Sequence, residues 1–317
     1  MTITIQHEHP ESLDSLVALL RGRRVAVLAG AGCSTDSGIP DYRGPEGSLR
    51  GRNPIQYMEF LGSEEARARY WSRSFVGWPR MERAIPNAAH ECLARLEMAG
   101  VVTGIITQNV DGLHHKAGSG RVVELHGSLA WVRCLDCGAR VPRSDFQDRI
   151  RDANVRWAAR MEGIGTGGGI GVAASLGVQA APDGDAEVPV SALEGFRVPA
   201  CDSCGGVVKP DVVFFGENVP SSVVSDAWRI YEDSNAILVV GSSLTVYSGR
   251  RFLYRAVKED VPIGVVNLGP TRADEMAAAR VDGRLGQVLP RLVTALARPG
   301  AELVCPVQSR RGVVEAR

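Results

Sequence analysis

The sequence predicts an α/β protein, a doubly wound parallel sheet with a small module inserted into it. Three observations carry this expectation. Short runs rich in β-branched and aliphatic residues recur at 25–29, 101–107, 236–240 and 263–267, as strands buried on both faces do. Helical patterns lie between them, and such alternation places helices on both sides of a parallel sheet. The stretch from Arg133 to Gly206 breaks the rhythm and is bounded by cysteine pairs.

Taken in order, Leu13, Leu16, Val17 and Leu20 share one face of a first helix. Strand 25–29 runs into Gly30-Ala-Gly32-Cys-Ser34-Thr-Asp-Ser-Gly38, a glycine-rich turn expected to lead into a helix. Without Cβ atoms at Gly30 and Gly32 the backbone can approach a pyrophosphate, and helix N-terminal amides would meet its charge. The usual pattern has a third glycine where this chain has Thr35, so a tight turn without a ligand is the competing reading. From Asp41 to Arg52 Pro, Gly and Arg alternate, and a loop there would overhang a ligand at the carboxyl end of the sheet.

Asn87 after Pro86 can cap a helix that ends before Gly100. Gln108, Asn109 and Asp111 sit just past strand 101–107, and His126 follows the strand-like 122–125, so polar groups converge on one sheet edge. A neutral imidazole there can take a proton. Loop capping by Asn and Asp, and a satisfied core histidine, are the bland alternatives.

Cys134-Leu-Asp-Cys137 and Cys201-Asp-Ser-Cys204 are two knuckles, each followed at once by glycine. Four thiolates complete a tetrahedral zinc shell and leave no open position for water, so the metal is expected to be structural. Two paired spacings favour metal over redox chemistry. The glycine-rich 163–171 and the turn-forming Ala181-Pro-Asp-Gly-Asp185 between the knuckles suggest a mobile loop.

Length and composition bound the function. A chain of 317 residues suits one large core with an added module, hence two lobes. A hydrophobic fraction of 44% and a charged fraction of 23% argue against a disordered chain, and no apolar run approaches the length of a membrane span. Net charge is zero, which makes nucleic acid a poor partner. Only Lys116, Lys209 and Lys258 are lysines, a bias that points to GC-rich coding and a bacterial source. The first ten residues lack a signal or transit pattern, and seven cysteines, four of them in knuckles, suit a reducing compartment, so a cytoplasmic protein is expected.

Together these pieces resemble the sirtuins. The resemblance rests on Gly30-Ala-Gly-Cys-Ser-Thr-Asp-Ser-Gly-Ile-Pro-Asp-Tyr-Arg43, Thr107-Gln-Asn-Val-Asp111, Leu125-His-Gly127 and the knuckles. Lys209-Pro-Asp-Val-Val-Phe-Phe-Gly-Glu217, Gly241-Ser-Ser243 and Val266-Asn-Leu-Gly269 continue it, so that it spans residues 13–292. Tyr42, Tyr70-Trp71, Phe75-Val-Gly-Trp78 and Gly269-Pro-Thr-Arg272 resemble class II, the group that includes mitochondrial sirtuin 4.

The resemblance implies a Rossmann-like lobe (13–49, 87–130 and 208–296), a helical part of a small lobe (50–86), a zinc module (131–207) and a tail (297–317). It implies NAD as co-substrate in a cleft between the lobes and acylated-lysine proteins as substrates, and neither nucleic acid nor a membrane is expected as a partner. The implied catalytic groups are His126, Asn109 and Asp111. His126 would deprotonate a ribose hydroxyl after the acyl oxygen attacks the ribose carbon as nicotinamide leaves. Asp111 would bind the carboxamide, Gln108 and Asn109 would order ribose and water, and Arg43 would hold phosphate or steady the cofactor loop. Gly30, Ala31, Gly32, Asp41 and Tyr42 complete that end of the cofactor set, and Gly241, Ser242, Ser243, Asn267, Leu268, Gly269 and Leu285 complete the rest. The metal set is Cys134, Cys137, Cys201 and Cys204.

For the substrate, Val213, Phe215, Gly216 and Glu217 would pair with the acyl-lysine peptide by strand addition. Tyr70 and Arg73 have the spacing of an acidic-acyl reader, against which stands a solvated arginine on a helix rich in them. His114 and His115 belong to a stretch that is mainly structural in the family. Competing functions are protein ADP-ribosyl transfer and a non-enzymatic NAD or zinc scaffold. The oligomeric state is not legible.

Overall fold

The computed structural model describes residues 12–42, 54–163, 184 and 193–296. Six strands form one parallel sheet: β1 (Val25–Ala29), β2 (Val102–Thr107), β3 (Val122–Glu124), β7 (Ala236–Val240), β8 (Ile263–Asn267) and β9 (Ala279–Asp282). Their order is β3-β2-β1-β7-β8-β9, so the direction of winding reverses between β1 and β7. Ligands of open α/β sheets bind outside the strand ends at such a reversal. The short edge strand β9 carries Arg280 and Asp282 and offers no apolar run, which is why sequence reading passes over it.

β1, β7 and β8 are buried at every position, which explains their unbroken apolar composition. On one face, Leu16 and Leu20 of α1 (Leu13–Leu20) pack with Leu93 and Leu96 of α4 (Ala88–Met98) and with Leu289 and Leu292 of α10 (Leu285–Leu296). On the other face lie Ile230 of α8 (Ser221–Glu232) and Phe252 and Leu253 of α9 (Tyr247–Lys258). Asn87 caps α4 as its position predicts, accepting the Ala89 N–H at 2.9 Å, and His90 returns a reciprocal contact to the Asn87 backbone.

The smaller lobe holds a three-stranded antiparallel sheet, β5 (Arg140–Pro142), β4 (Gly127–Cys134) and β6 (Val208–Val212). Helices α2 (Tyr57–Gly62), α3 (Glu64–Arg83), α6 (Arg143–Ala153) and α7 (Val155–Gly163) surround it. One aromatic cluster joins Phe60, Trp71 and Phe75 to Phe146, Trp157 and Phe196, so residues on either side of the Rossmann segment 87–126 share a core. This sheet reaches beyond the span 131–207 expected for the module. β4 begins at Gly127 and β6 occupies Val208–Val212, because Cys134 pairs with Val208 in register.

Much of the glycine-rich insert at 163–184, the loop segment 43–53 and the tail lie outside the described residues. Among the described residues no helix is long and apolar enough to cross a membrane.

Candidate active site and metal centre

The turn after β1 does not become a long helix. Two short 3₁₀ turns, Ala31–Cys33 and Thr35–Ser37, follow it and end at Gly38 with φ 83°. Where a third glycine was expected, Thr35 folds its hydroxyl back onto the Gly32 carbonyl at 3.2 Å. The first of these short turns begins at Ala31, on the lining of the cleft.

Gly30 and Gly32 lie against the turn after β7. A Cβ on Gly30 would meet Ser242 Cβ at 2.6 Å, and one on Gly32 would meet Gly241 Cα at 2.9 Å. The Gly32 N–H donates to the Gly241 carbonyl at 2.8 Å. Two bare turns thus pack at the strand reversal and form the floor of a cleft of about 890 Å³.

The cleft gathers most of the expected cofactor residues. Gly30, Ala31, Gly32, Asp41 and Tyr42 line one part, and Gly241, Ser242, Ser243, Asn267, Leu268 and Gly269 line another. Gln108, Asn109 and His126 lie between them. Val213, Phe215, Gly216, Glu217 and Tyr70 line the wall toward the small lobe. Asp111 sits in a recess beside the cleft, which shares Ala31, Tyr42, Gln108 and Asn109 with it.

Among the described residues, Leu285 and Arg73 do not line the cleft. Leu285 is buried beneath the glycine turn, where its Cδ1 lies 2.9 Å from where a Cβ on Gly241 would stand. Arg73 is absent from the lining although its helix neighbour Tyr70 is present. Arg43 lies outside the described residues.

The polar groups after β2 are held by the chain itself. Asn109 Nδ2 donates to the Gly30 carbonyl at 3.1 Å and to Ser34 Oγ at 3.2 Å. Ser34 Oγ donates to Asp111 Oδ2 at 2.7 Å, and Asp111 Oδ1 accepts the Leu113 N–H at 2.9 Å. Gln108 Oε1 accepts from Ser242 Oγ at 2.8 Å. Behind them His90 is buried, and desolvation pushes its pKa down to about 4, although the Asp111 charge works the other way.

His126 stands just past β3 with both ring nitrogens engaged. Nδ1 lies 2.9 Å from the Gln108 carbonyl and Nε2 lies 2.8 Å from Ser248 Oγ. Burial lowers its pKa, and Arg251 pushes the same way, so the imidazole is neutral at neutral pH. Ser248 and Arg251 line the cleft yet escape sequence reading, because nothing local distinguishes them from ordinary residues in the first turns of a helix.

The segment 213–217 is anchored at both ends. Val213 N–H donates to the His126 carbonyl at 2.8 Å, and Glu217 Oε2 accepts from the Phe214 N–H at 2.8 Å and from Lys209 Nζ at 3.0 Å. The Phe215 carbonyl accepts from the Tyr57 N–H at 2.9 Å, tying the segment to α2. Tyr70 packs edge-on to Phe60 and against Phe214, which ties its part of the wall to the same segment.

The knuckles converge at the end of the small sheet. Cys134 and Cys204 sulfurs are 3.5 Å apart, those of Cys137 and Cys201 are 3.7 Å apart, and all four lie within 4.8 Å of one another. A tetrahedron with Zn–S bonds of roughly 2.3 Å has edges of roughly 3.8 Å, so the donor set fits zinc. Gly138 and Gly205 take φ of 73° and 75° directly after the second cysteine of each pair, a conformation that suits glycine.

Comparisons with known proteins agree with this geometry. Residues 30–248 match the model of the Sir2 family. The chain is 48% identical over 274 residues to NAD-dependent protein deacetylase 2 of Bradyrhizobium diazoefficiens, covering 86% of this chain and 94% of the relative. It is 48% identical over 289 residues to NAD-dependent protein deacetylase 1 of Mycobacterium avium, covering 91% and 96%. A solved structure described as "Sir2-p53 peptide-NAD+" superimposes with a TM-score of 0.69 at 28% identity, covering 89% of this chain and 98% of that one. The match to the family model takes in both glycine turns, His126 and all four knuckle cysteines, and with the curated relatives it places this chain in the Sir2, or sirtuin, family.

Proposed function

We propose that the chain is an NAD-dependent protein lysine deacylase, with acetyl-lysine as its primary substrate class, releasing nicotinamide and 2'-O-acyl-ADP-ribose. The observation that carries the reading is the place of His126, a half-buried neutral imidazole on the wall of a cleft at the strand reversal. The identity to curated deacetylases over most of their length supports the same activity.

Bound NAD supplies a ribose carbon open to attack by the acyl oxygen and a nicotinamide that leaves. The chain orients and moves protons around it. The turns at Gly30–Gly32 and Gly241–Ser243 offer backbone close to the ligand, while Gln108, Asn109 and Asp111 arrive already fixed by Ser242, Gly30 and Ser34. Such preorganisation spares reorganisation during the reaction. His126 takes a proton from a ribose hydroxyl at Nε2, and its depressed pKa keeps that lone pair available at neutral pH. The wall at 213–217 presents backbone to the peptide, so recognition would tolerate varied sequence around the lysine.

The four thiolates would hold zinc with no position left for water, so the metal would take no step in the chemistry. Cysteines held as thiolates also suit a cytoplasmic place of action.

The test is incubation with NAD and acetyl-, succinyl- and glutaryl-lysine peptides, following peptide mass and nicotinamide together. Coupled loss of acyl group and nicotinamide, abolished in His126→Ala, is the expected result. Nicotinamide release with every peptide intact would overturn deacylation in favour of ADP-ribosyl transfer or NAD hydrolysis.

A further inference from the structure

The hydrogen bonds of His126 determine which of its nitrogens carries the proton. The partner of Nδ1 is the Gln108 carbonyl at 2.9 Å, and a carbonyl oxygen only accepts. Nδ1 therefore bears the hydrogen in the neutral ring, and the lone pair lies on Nε2. At 2.8 Å from Nε2 stands Ser248 Oγ, which must then donate. Ser248 is itself 7% exposed and lies in the first turn of α9, whose opening offers N–H donors rather than acceptors. A hydroxyl turned to accept from a charged imidazolium would point its own hydrogen at those donors, so the bond favours the neutral ring.

We propose that Ser248 is a positioning residue for His126, capping Nε2 in the ligand-free protein and holding the ring with its lone pair toward the cleft. The inference rests on His126 being the base of the proposed reaction. When a ribose hydroxyl arrives, it replaces Ser248 as donor to Nε2; its hydrogen passes to Nε2, the oxygen keeps the bonding pair, and the Ser248 O–H bond is unchanged. The charged groups around the ring are Arg251 on α9, which opposes protonation, and Asp41, Glu217 and Arg272 elsewhere on the cleft wall.

The first readout needs no turnover. The full chain, with its six histidines labelled with nitrogen-15, is titrated by nuclear magnetic resonance, and His126 is identified by its loss in His126→Asn. The expected wild-type tautomer carries hydrogen on Nδ1. Ser248→Ala is expected to raise the His126 midpoint by about half to one pH unit, the size of one lost hydrogen bond, and Ser248→Thr to restore it. A hydrogen on Nε2 in the wild type, or a midpoint that is unchanged or lowered in Ser248→Ala, would overturn the proposal. A hydrogen on Nε2 overturns the proposal even if the alanine variant does not fold, and the Ser248→Thr midpoint then provides the second measurement.

In deacylation, Ser248→Ala is expected to lower kcat/KM about five- to tenfold and to move the acidic limb of its pH profile upward with the midpoint. An unshifted limb in an active enzyme would also overturn it. A wild type that deacylates no peptide while its nitrogen signals behave as expected would count against the proposed function and leave the Ser248–His126 bond supported.

Discussion

Ser34 Oγ donates a 2.7 Å hydrogen bond to Asp111 Oδ2, and through it the turn after β1 holds the loop after β2. The same hydroxyl accepts from Asn109 Nδ2 at 3.2 Å, so one small side chain orients two of the proposed cofactor ligands. Ser34 is fully buried, and its hydroxyl is the shared partner of both groups.

Ser34→Ala is accordingly expected to lower deacylation kcat/KM by about 10- to 100-fold, the range of a lost hydrogen bond to a charged group. Steady-state kinetics with far-ultraviolet circular dichroism would check it. A variant as active as wild type would show that Asp111 keeps its orientation by other means.

Gly241 combines a φ of 57° with backbone crowding, since a Cβ there would stand 2.6 Å from the Cys33 nitrogen. Gly241→Ala is expected to cost about 2–4 kcal/mol of stability, from the left-handed conformation and from overpacking. The urea midpoint would report it, and NAD affinity is expected to fall with it, because the neighbouring Gly32 and Ser242 share the turn contact.

Removal of zinc bears on the smaller lobe. The knuckles close the end of the small sheet, and the Rossmann core of Leu16, Leu93 and Leu289 lies in a separate apolar cluster. A strong chelator, or Cys137→Ser, is expected to release one zinc per chain and to loosen residues 127–212 first. Hydrogen exchange would localise the change. Uniform loss of protection across both lobes would show that they unfold as one unit.

Two buried groups tilt stability in opposite directions with pH. His90 is depressed to about 4 by burial, so its contribution is complete above the unfolded value near 6.5 and is lost as pH falls from there toward 4, on the order of 3 kcal/mol. Glu124 is raised to about 7, chiefly by burial and then by Asp111. Its penalty is absent below the unfolded value near 4.5, grows as pH rises toward 7 and is complete above that. The two windows overlap, so their slopes are expected to cancel between about pH 4.5 and 6.5, and Glu124→Gln is expected to uncover a urea midpoint that rises with pH across that range. A flat midpoint in that variant would exclude Glu124 as the opposing group.

Much of the sheet was legible because a buried parallel strand must be apolar throughout, and β1, β7 and β8 are. β9 was not, because an edge strand carrying Arg280 needs no apolar run. In place of the helix expected after Gly30 stand two short 3₁₀ turns, the second of which ends at Gly38 in the left-handed region with Pro40 two residues on.

The candidate site divides along the same line. Residues whose chemistry is tied to their own spacing, the four knuckle cysteines, the glycines of the two turns and the polar run from Gln108 to Asp111, are readable in one dimension, because neighbours along the chain constrain them. The withdrawal of Leu285 beneath Gly241, the absence of Arg73 from the cleft wall and the pairing of Ser248 with His126 depend on helices that reach the cleft from distant parts of the chain. Side chains 122 positions apart meet only once the sheet has brought β3 and the start of α9 to the same edge. Packing alone decides such contacts, because no local propensity of Ser248 or His126 encodes the other.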